Sequence, residues 1–128
     1  MVSAITEGVK VSVTALYQPA YSNPINSHFI FSYKVYIENN SAHTIKLVSR
    51  KWHIFDSNGE RRNVKGDGVV GQQPTLNPGD VHEYVSGCDL KTAMGKMKGI
   101  YTMEKLVDKT TFSVEIPEFN LVSPLIEN

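Results

Sequence analysis

Apolar and polar residues alternate along most of this chain with the two-residue period of strands that bury one face. Val9, Val11, Val13, Ala15 and Tyr17 make one such series. The clearest is Phe29, Phe31, Tyr33, Val35 and Ile37, with Ser32, Lys34, Tyr36 and Glu38 on the opposite face. Gln18 to Ser27 carries two prolines and two asparagines and reads as a loop. Asn39-Asn40-Ser41 ends the second series in residues that accept turn conformations. From Thr44 to Phe55 the parity slips, because Ile45 and Leu47 mark odd positions as inward while Trp52 and Ile54 mark even ones. A strand changes faces only by taking in an extra residue, so a β-bulge or break is predicted between Val48 and Lys51.

Ser57-Asn58-Gly59 is a hairpin turn that pairs Trp52–Asp56 with Glu60–Lys65. Asn77-Pro78-Gly79-Asp80 places proline and glycine as a type II turn requires. Val81 to Ser86 then forms a strand, with Val81, Glu83 and Val85 on one side and His82 and Tyr84 on the other. The segment Ser86 to Lys98 supports two readings: a single helical turn over Asp89–Met94, N-capped by Asp89 and ended by Gly95, or a loop. Met97 to Lys105 resumes as a strand, Asp108-Lys109 turns, and Phe112, Val114 and Ile116 alternate up to Pro117. The segment that follows holds Phe119, Leu121, Val122, Leu125 and Ile126, with Pro117 and Pro124 confining any pairing to a sheet edge. Seven to eight short strands without a long helix or repeat predict an all-β sandwich of two antiparallel sheets, residues 1–128 forming a single domain.

Composition adds bounds. A chain of 128 residues buries about two-thirds of its unfolded surface, enough for a core without metal or disulfide staples. Thirteen basic residues balance thirteen acidic ones, which removes the global electrostatic case for nucleic acid. Locally, Lys46, Arg50, Lys51, Arg61, Arg62 and Lys65 outnumber Asp56 and Glu60, the signature of a solvated face or of an anionic partner. The lone Cys88 has no internal disulfide partner, and the carboxylate of Asp89 beside it raises a thiol pKa. With no basic flank leading into an apolar run and no stretch of membrane-spanning length, a soluble cytoplasmic protein without membrane insertion is expected.

Candidate chemistry centres on Gly66-Asp67-Gly68-Val69-Val70-Gly71, a G-x-G-x-x-G run in letters. Dinucleotide binding by that motif needs a helix to follow, and Pro74 and Pro78 stand where its turns belong. Two readings remain. The glycines supply positive φ where the chain crosses between sheets, or the loop amides bind an anion, with Gly66, Gly68, Gly71, Arg61, Arg62 and Lys65 as the site. The spacing of His28, His43, His53 and His82 matches no metal site, and no cofactor is implied. Asp67, Asp80, Glu83 and Asp89 are the carboxylates available to Mg²⁺. Ser86-Gly87-Cys88 lacks the strand–turn–helix context of a nucleophile elbow, so no catalytic residue is assigned. Trp52 reads as the core tryptophan packed between sheets. Tyr36, Lys34 and Lys46 lack the aromatic series of a nucleic-acid platform.

Arg50-Lys51-Trp52, the run Gly66 to Asp80 and Tyr84-Val85-Ser86-Gly87 together resemble the bacterial ApaG family. Gly95 to Met103 and Phe112 to Pro117 are similar to its closing strands, and the likeness covers essentially the whole chain. Asp67 and Asp80 stand where the family commonly carries glutamate. The resemblance implies an immunoglobulin/fibronectin type III-like sandwich. It also implies an indirect link to cobalt resistance and magnesium efflux, and a domain that recurs in eukaryotic F-box and DNA polymerase-interacting proteins. A sandwich with no membrane span cannot itself conduct an ion, so any such role runs through a partner or a ligand. Three functions follow: a non-enzymatic module binding a protein partner through strand edges or loops, a binder of pyrophosphate or a nucleotide phosphate at Gly66–Gly71, and a hydrolase of phosphorylated compounds. Open sandwich edges also allow a homodimer, unless the apolar C-terminal segment covers one of them.

Overall fold

The computed structural model describes residues 1–124. Nine strands follow in order: β1 Val2–Thr6, β2 Val9–Tyr17, β3 Phe29–Asn39, β4 Ile45–Asp56, β5 Arg61–Asp67, β6 Thr75–Leu76, β7 Val81–Leu90, β8 Met94–Lys105 and β9 Thr111–Val122. They form two antiparallel sheets, β1-β2-β3-β7 and β5-β4-β8-β9, with β6 also paired to β4. The count exceeds the expected seven to eight because β1 is a largely exposed edge strand and β6 has only two residues; neither carries a legible alternation. The loop between β2 and β3 holds two short 3₁₀ turns, each opened by a proline. Among the described residues no helix is long and apolar enough to cross a membrane.

The predicted faces meet as a core. Val9, Val11 and Val13 of β2 and Phe29, Phe31, Tyr33, Val35 and Ile37 of β3 are buried against Ile45, Leu47, Trp52, Ile54, Met97, Tyr101 and Met103 of the second sheet. The Trp52 ring packs edge-on to Tyr33 of the opposite sheet at 5.3 Å and to Phe119 of β9 at 5.9 Å. Tyr84 of β7 and Tyr101 of β8 join the sheets by a hydrogen bond between their hydroxyls.

The parity slip in β4 has its physical cause at Val48. Leu47 pairs with Met103 and Ser49 with Thr102, leaving Val48 as the unmatched residue at the N-terminal limit of the expected interval. Beyond it Arg50 turns to the same side as Trp52. A second irregularity lies where Met97 pairs with Phe119 and Gly99 with Ile116, so Pro117 and Glu118 together face Lys98. Inward parity in β9 thereby changes from Val114 and Ile116 to Phe119 and Leu121. Pro117 sits at this bulge on an edge strand, where a missing amide proton is tolerated. Leu125 and Ile126 lie outside the described residues.

The helical turn at Asp89–Met94 does not form. Asp89 pairs with Ile30 within β7, and only residues 91–93 connect to β8. The reason is nonlocal: the buried carboxylate of Asp56 accepts the Lys91 amide at 2.7 Å and the Thr92 hydroxyl. That side chain supplies from another strand the acceptor that an N-cap would have supplied locally. The Asn77–Asp80 turn closes as predicted, Asp80 N donating to Asn77 O at 2.9 Å.

Candidate functional site

β5 and β6 share one edge of β4, β5 along its C-terminal half and β6 along its first residues. The segment 68–74 joins them and lies beside the Val48 bulge. Gly66, still within β5, is opposite Arg50. A Cβ there would stand 2.7 Å from the Arg50 Nη1, so the absent side chain makes room for the guanidinium. Arg50 Nη1 donates to the carbonyls of Asp67 and Gly68, both at 3.0 Å. Gly68 has φ +59°, and a Cβ on it would fall 1.9 Å from the Gln72 carbonyl oxygen. Its amide donates to Val48 O at 2.8 Å, while Val69 and Gln72 exchange amide–carbonyl bonds at 2.7 and 3.0 Å. Gln73 Nε2 adds a bond to Val48 O at 2.9 Å. The loop is thus a closed turn pinned to the bulge, with Val69 buried and Val70 exposed at its tip ahead of Gly71.

Behind it, Arg50, Tyr33, Trp52, Tyr84, Ser86 and Val69 line a recess of about 170 Å³ at the mouth of the sandwich. Burial raises the pKa of Tyr33, a shift that a hydrogen bond from Ser86 opposes. Burial also raises Tyr84 and holds Tyr101 well above the usual phenol range. These hydroxyls therefore stay protonated near neutrality. Arg50 is the residue that motif reading missed. Its position two residues before Trp52, after the parity change, was the available signal.

The six residues predicted for an anion site are not gathered in one place. Arg61 and Arg62 lie near the start of β5, four to five residues from Gly66, or roughly 13–17 Å along an extended chain. Being adjacent, they also point to opposite faces. Arg62 reaches β7, donating to Asp89 Oδ1 at 3.2 Å and to the Asp89 carbonyl, with Cys88 Sγ at 3.8 Å. Arg61 turns to the outer face and covers the Phe55 ring at 5.5 Å. Lys65 is opposite Lys51 on that same face.

Burial, more than the neighbouring Asp89 carboxylate, pushes the Cys88 thiol up to about 11, while Arg62 works against it. The thiol is consequently a poor nucleophile at neutral pH. The carboxylates considered for Mg²⁺ are separated: Asp67 ends β5 opposite Ser49, Asp80 accepts the Asn77 amide at 2.9 Å, Glu83 lies 3.7 Å from Lys34, and Asp89 holds Arg62. Among the described residues no group of three or more His, Cys, Asp or Glu is placed to hold a metal ion.

The outer face around β5 is organised in rows. Arg61, Phe55 and Lys96 are register partners across three strands, and the Lys96 ammonium also lies 5.5 Å from the Phe55 ring centre. In the next row His53 Nδ1 and Asn63 Oδ1 are 2.7 Å apart, with Lys98 beyond them. A shallow concavity of about 440 Å³ runs along these rows, reaching Glu118 on β9.

The edge of β5 is equally regular. Asp56 N donates to Glu60 O at one end and Gly68 N to Val48 O at the other, and the ladder between them has no register shift. Antiparallel bonds alternate, so the main-chain groups of Arg62, Val64 and Gly66 face β4. Those of Arg61, Asn63 and Lys65 aim away from the sheet. The opposite edge, β9, is interrupted by its bulge and Pro117, and there Glu115 N donates to Thr6 Oγ1 of β1 at 3.1 Å.

Comparison with known proteins places this architecture. The model of the ApaG domain matches residues 19–105. Protein ApaG of Brucella canis is 46% identical over 124 residues, covering 97% of this chain and 95% of the relative. Protein ApaG of Sinorhizobium fredii is 45% identical over the same length and coverage. The crystal structure of an ApaA protein from Bordetella pertussis superposes with a TM-score of 0.87 at 42% identity, covering 91% of this chain and 94% of that one. A protein from Archaeoglobus fulgidus, 12% identical with a TM-score of 0.53, shares the fold alone. The chain belongs to the ApaG domain family.

Proposed function

We propose that this chain is a non-enzymatic recognition domain that binds a protein partner by adding one of the partner's strands to the edge of β5. The observation that carries this reading is the outward row of main-chain groups on Arg61, Asn63 and Lys65, set in an unbulged edge strand. Unpaired edge groups are a template for strand addition, in which main-chain bonds supply affinity and alternate side chains supply specificity. The reactive groups elsewhere support binding over catalysis: Arg50 is spent on loop carbonyls, Arg62 on Asp89, and the Cys88 thiol is held protonated. Any part in cobalt or magnesium homeostasis runs through that partner.

Asn63→Pro tests the reading. Proline removes the outward amide and leaves the β4 ladder intact, because Asn63 does not donate to β4. The wild-type domain should retain a partner in affinity capture that Asn63→Pro releases and Asn63→Ala keeps, with melting temperatures nearly unchanged. Equal capture by all three proteins would overturn edge docking. Turnover of a phosphorylated substrate by the purified domain would overturn the non-enzymatic reading.

A further inference from the structure

We infer that the partner segment is acidic: an extended strand carrying carboxylates four residues apart, one opposite Arg61 and one opposite Lys65. This deepens the edge-docking reading and rests on it. Arg61, Asn63 and Lys65 combine outward main-chain groups with side chains on the outer face, so the side chains of an added strand fall directly beside theirs. Residues opposite one another across antiparallel strands have Cβ atoms about 4.5–5.5 Å apart, close enough for charge pairing. The Arg61-to-Lys65 span is about 13 Å in a strand, which an extended partner matches with positions i and i+4.

The surroundings favour the same sign. Lys51, Lys96 and Lys98 stand behind the edge on the outer face with Lys46 beyond them, and the carboxylates of that face are Asp67 at the end of β5, Glu104 on β8, and Glu115 and Glu118 on β9. Lys96 lies 3.6 Å from Glu118, and both remain about half exposed. On the reverse side of β5, Val64 is 38% exposed between Arg62 and Gly66, so the partner position beside it is apolar. The recognised pattern is therefore acidic and polar on one face, with an apolar residue beside Val64 on the other.

Two other occupants fit less well. A single-stranded nucleic acid binds by stacking on open aromatic faces, and the Phe55 ring is flanked by Arg61 and Lys96 at 5.5 Å each. A second copy of this chain, pairing β5 with β5 about Asn63, sets Arg61 against Lys65 at both ends, and like charges directly opposite are destabilising.

The test titrates the full chain, isotopically labelled, with short peptides that alternate valine and threonine, observed through the amide resonances of β5. In the acidic probe, glutamates replace two threonines four residues apart; in the basic probe, lysines do. The acidic probe should shift and protect the Arg61, Asn63 and Lys65 amides, and the basic probe should leave them in place. An Arg61→Gln/Lys65→Gln double variant should bind the acidic probe roughly 2- to 30-fold more weakly. Arg61→Glu/Lys65→Glu should exchange the preference in favour of the basic probe. Equal binding of both probes overturns the charge assignment and leaves edge docking standing. Silence of the β5 amides with every probe, or unaltered binding by Asn63→Pro, overturns edge docking itself. Shifts produced only by a single-stranded oligonucleotide, or only by raising the protein concentration, overturn the acidic-protein assignment in favour of nucleic acid or a second copy.

Discussion

Replacing Asp56 with alanine tests whether one side chain organises the connection between β7 and β8. The carboxylate is buried and accepts the Lys91 amide at 2.7 Å and the Thr92 hydroxyl. Thr92 has other partners, Ser57 Oγ at 2.6 Å and the Met94 carbonyl at 2.8 Å, so the main loss falls on the Lys91 amide. A hydrogen bond to a charged group contributes about 1.5–3 kcal/mol, and a buried donor left without an acceptor costs a similar amount. Asp56→Ala should thus destabilise the domain by about 2–3 kcal/mol, lowering Tm by roughly 6–15 °C at this chain length. Asp56→Asn keeps one oxygen for the amide and should lose about half as much. Trp52 fluorescence reports thermal unfolding, and amide exchange at Lys91 should accelerate in the alanine variant before that of β3 does. A Tm for Asp56→Ala within about 1 °C of wild type would refute the capping account.

Three further outcomes follow from the geometry. Trp52→Ala should cost about 3–5 kcal/mol in urea unfolding, since the ring contacts Tyr33 and Phe119 from both sheets; a loss under about 1 kcal/mol would deny it that bridging role. Gly68→Ala should be more damaging than Gly71→Ala, because both have positive φ but only Gly68 would place a Cβ against backbone; equal melting temperatures would contradict the packed turn. Because the folded thiol of Cys88 holds its proton up to about pH 11, against an ordinary value near 9.0, its stabilising contribution is complete below pH 9 and is lost as pH rises to 11. By linkage that amounts to about 2–3 kcal/mol, and Cys88→Ala should show a correspondingly smaller fall in Tm over the same interval.

Much of the fold was legible because sandwich strands advertise themselves locally. The alternation from Phe29 to Ile37 defines β3 and its inward face, and the conflict between Leu47 and Trp52 required a bulge. What escaped depends on contacts distant along the chain. Asp89 looked like an N-cap because local reasoning cannot see Asp56 reaching the same turn from β4. The candidate site was legible in pieces. Arg61 and Arg62, being adjacent in a strand, had to diverge, and the period-two rule contained that fact. That β5 is an edge was not legible, since strand order follows from tertiary pairing. Nor was the role of Arg50 within the loop, which requires knowing that Gly66 lies across from it.

The unmatched Val48 also constrains how this domain can evolve. One added residue lets β4 show odd positions to the core before it and even positions after it. Substitution at Val48 alters one side chain, whereas deleting it would turn Arg50, Trp52 and Ile54 outward together. For side chains, the bulge behaves as a reading frame does for codons. Lineages of this domain are therefore free to vary the residue at this point but not to lose it, and length changes should collect in loops such as that between β2 and β3.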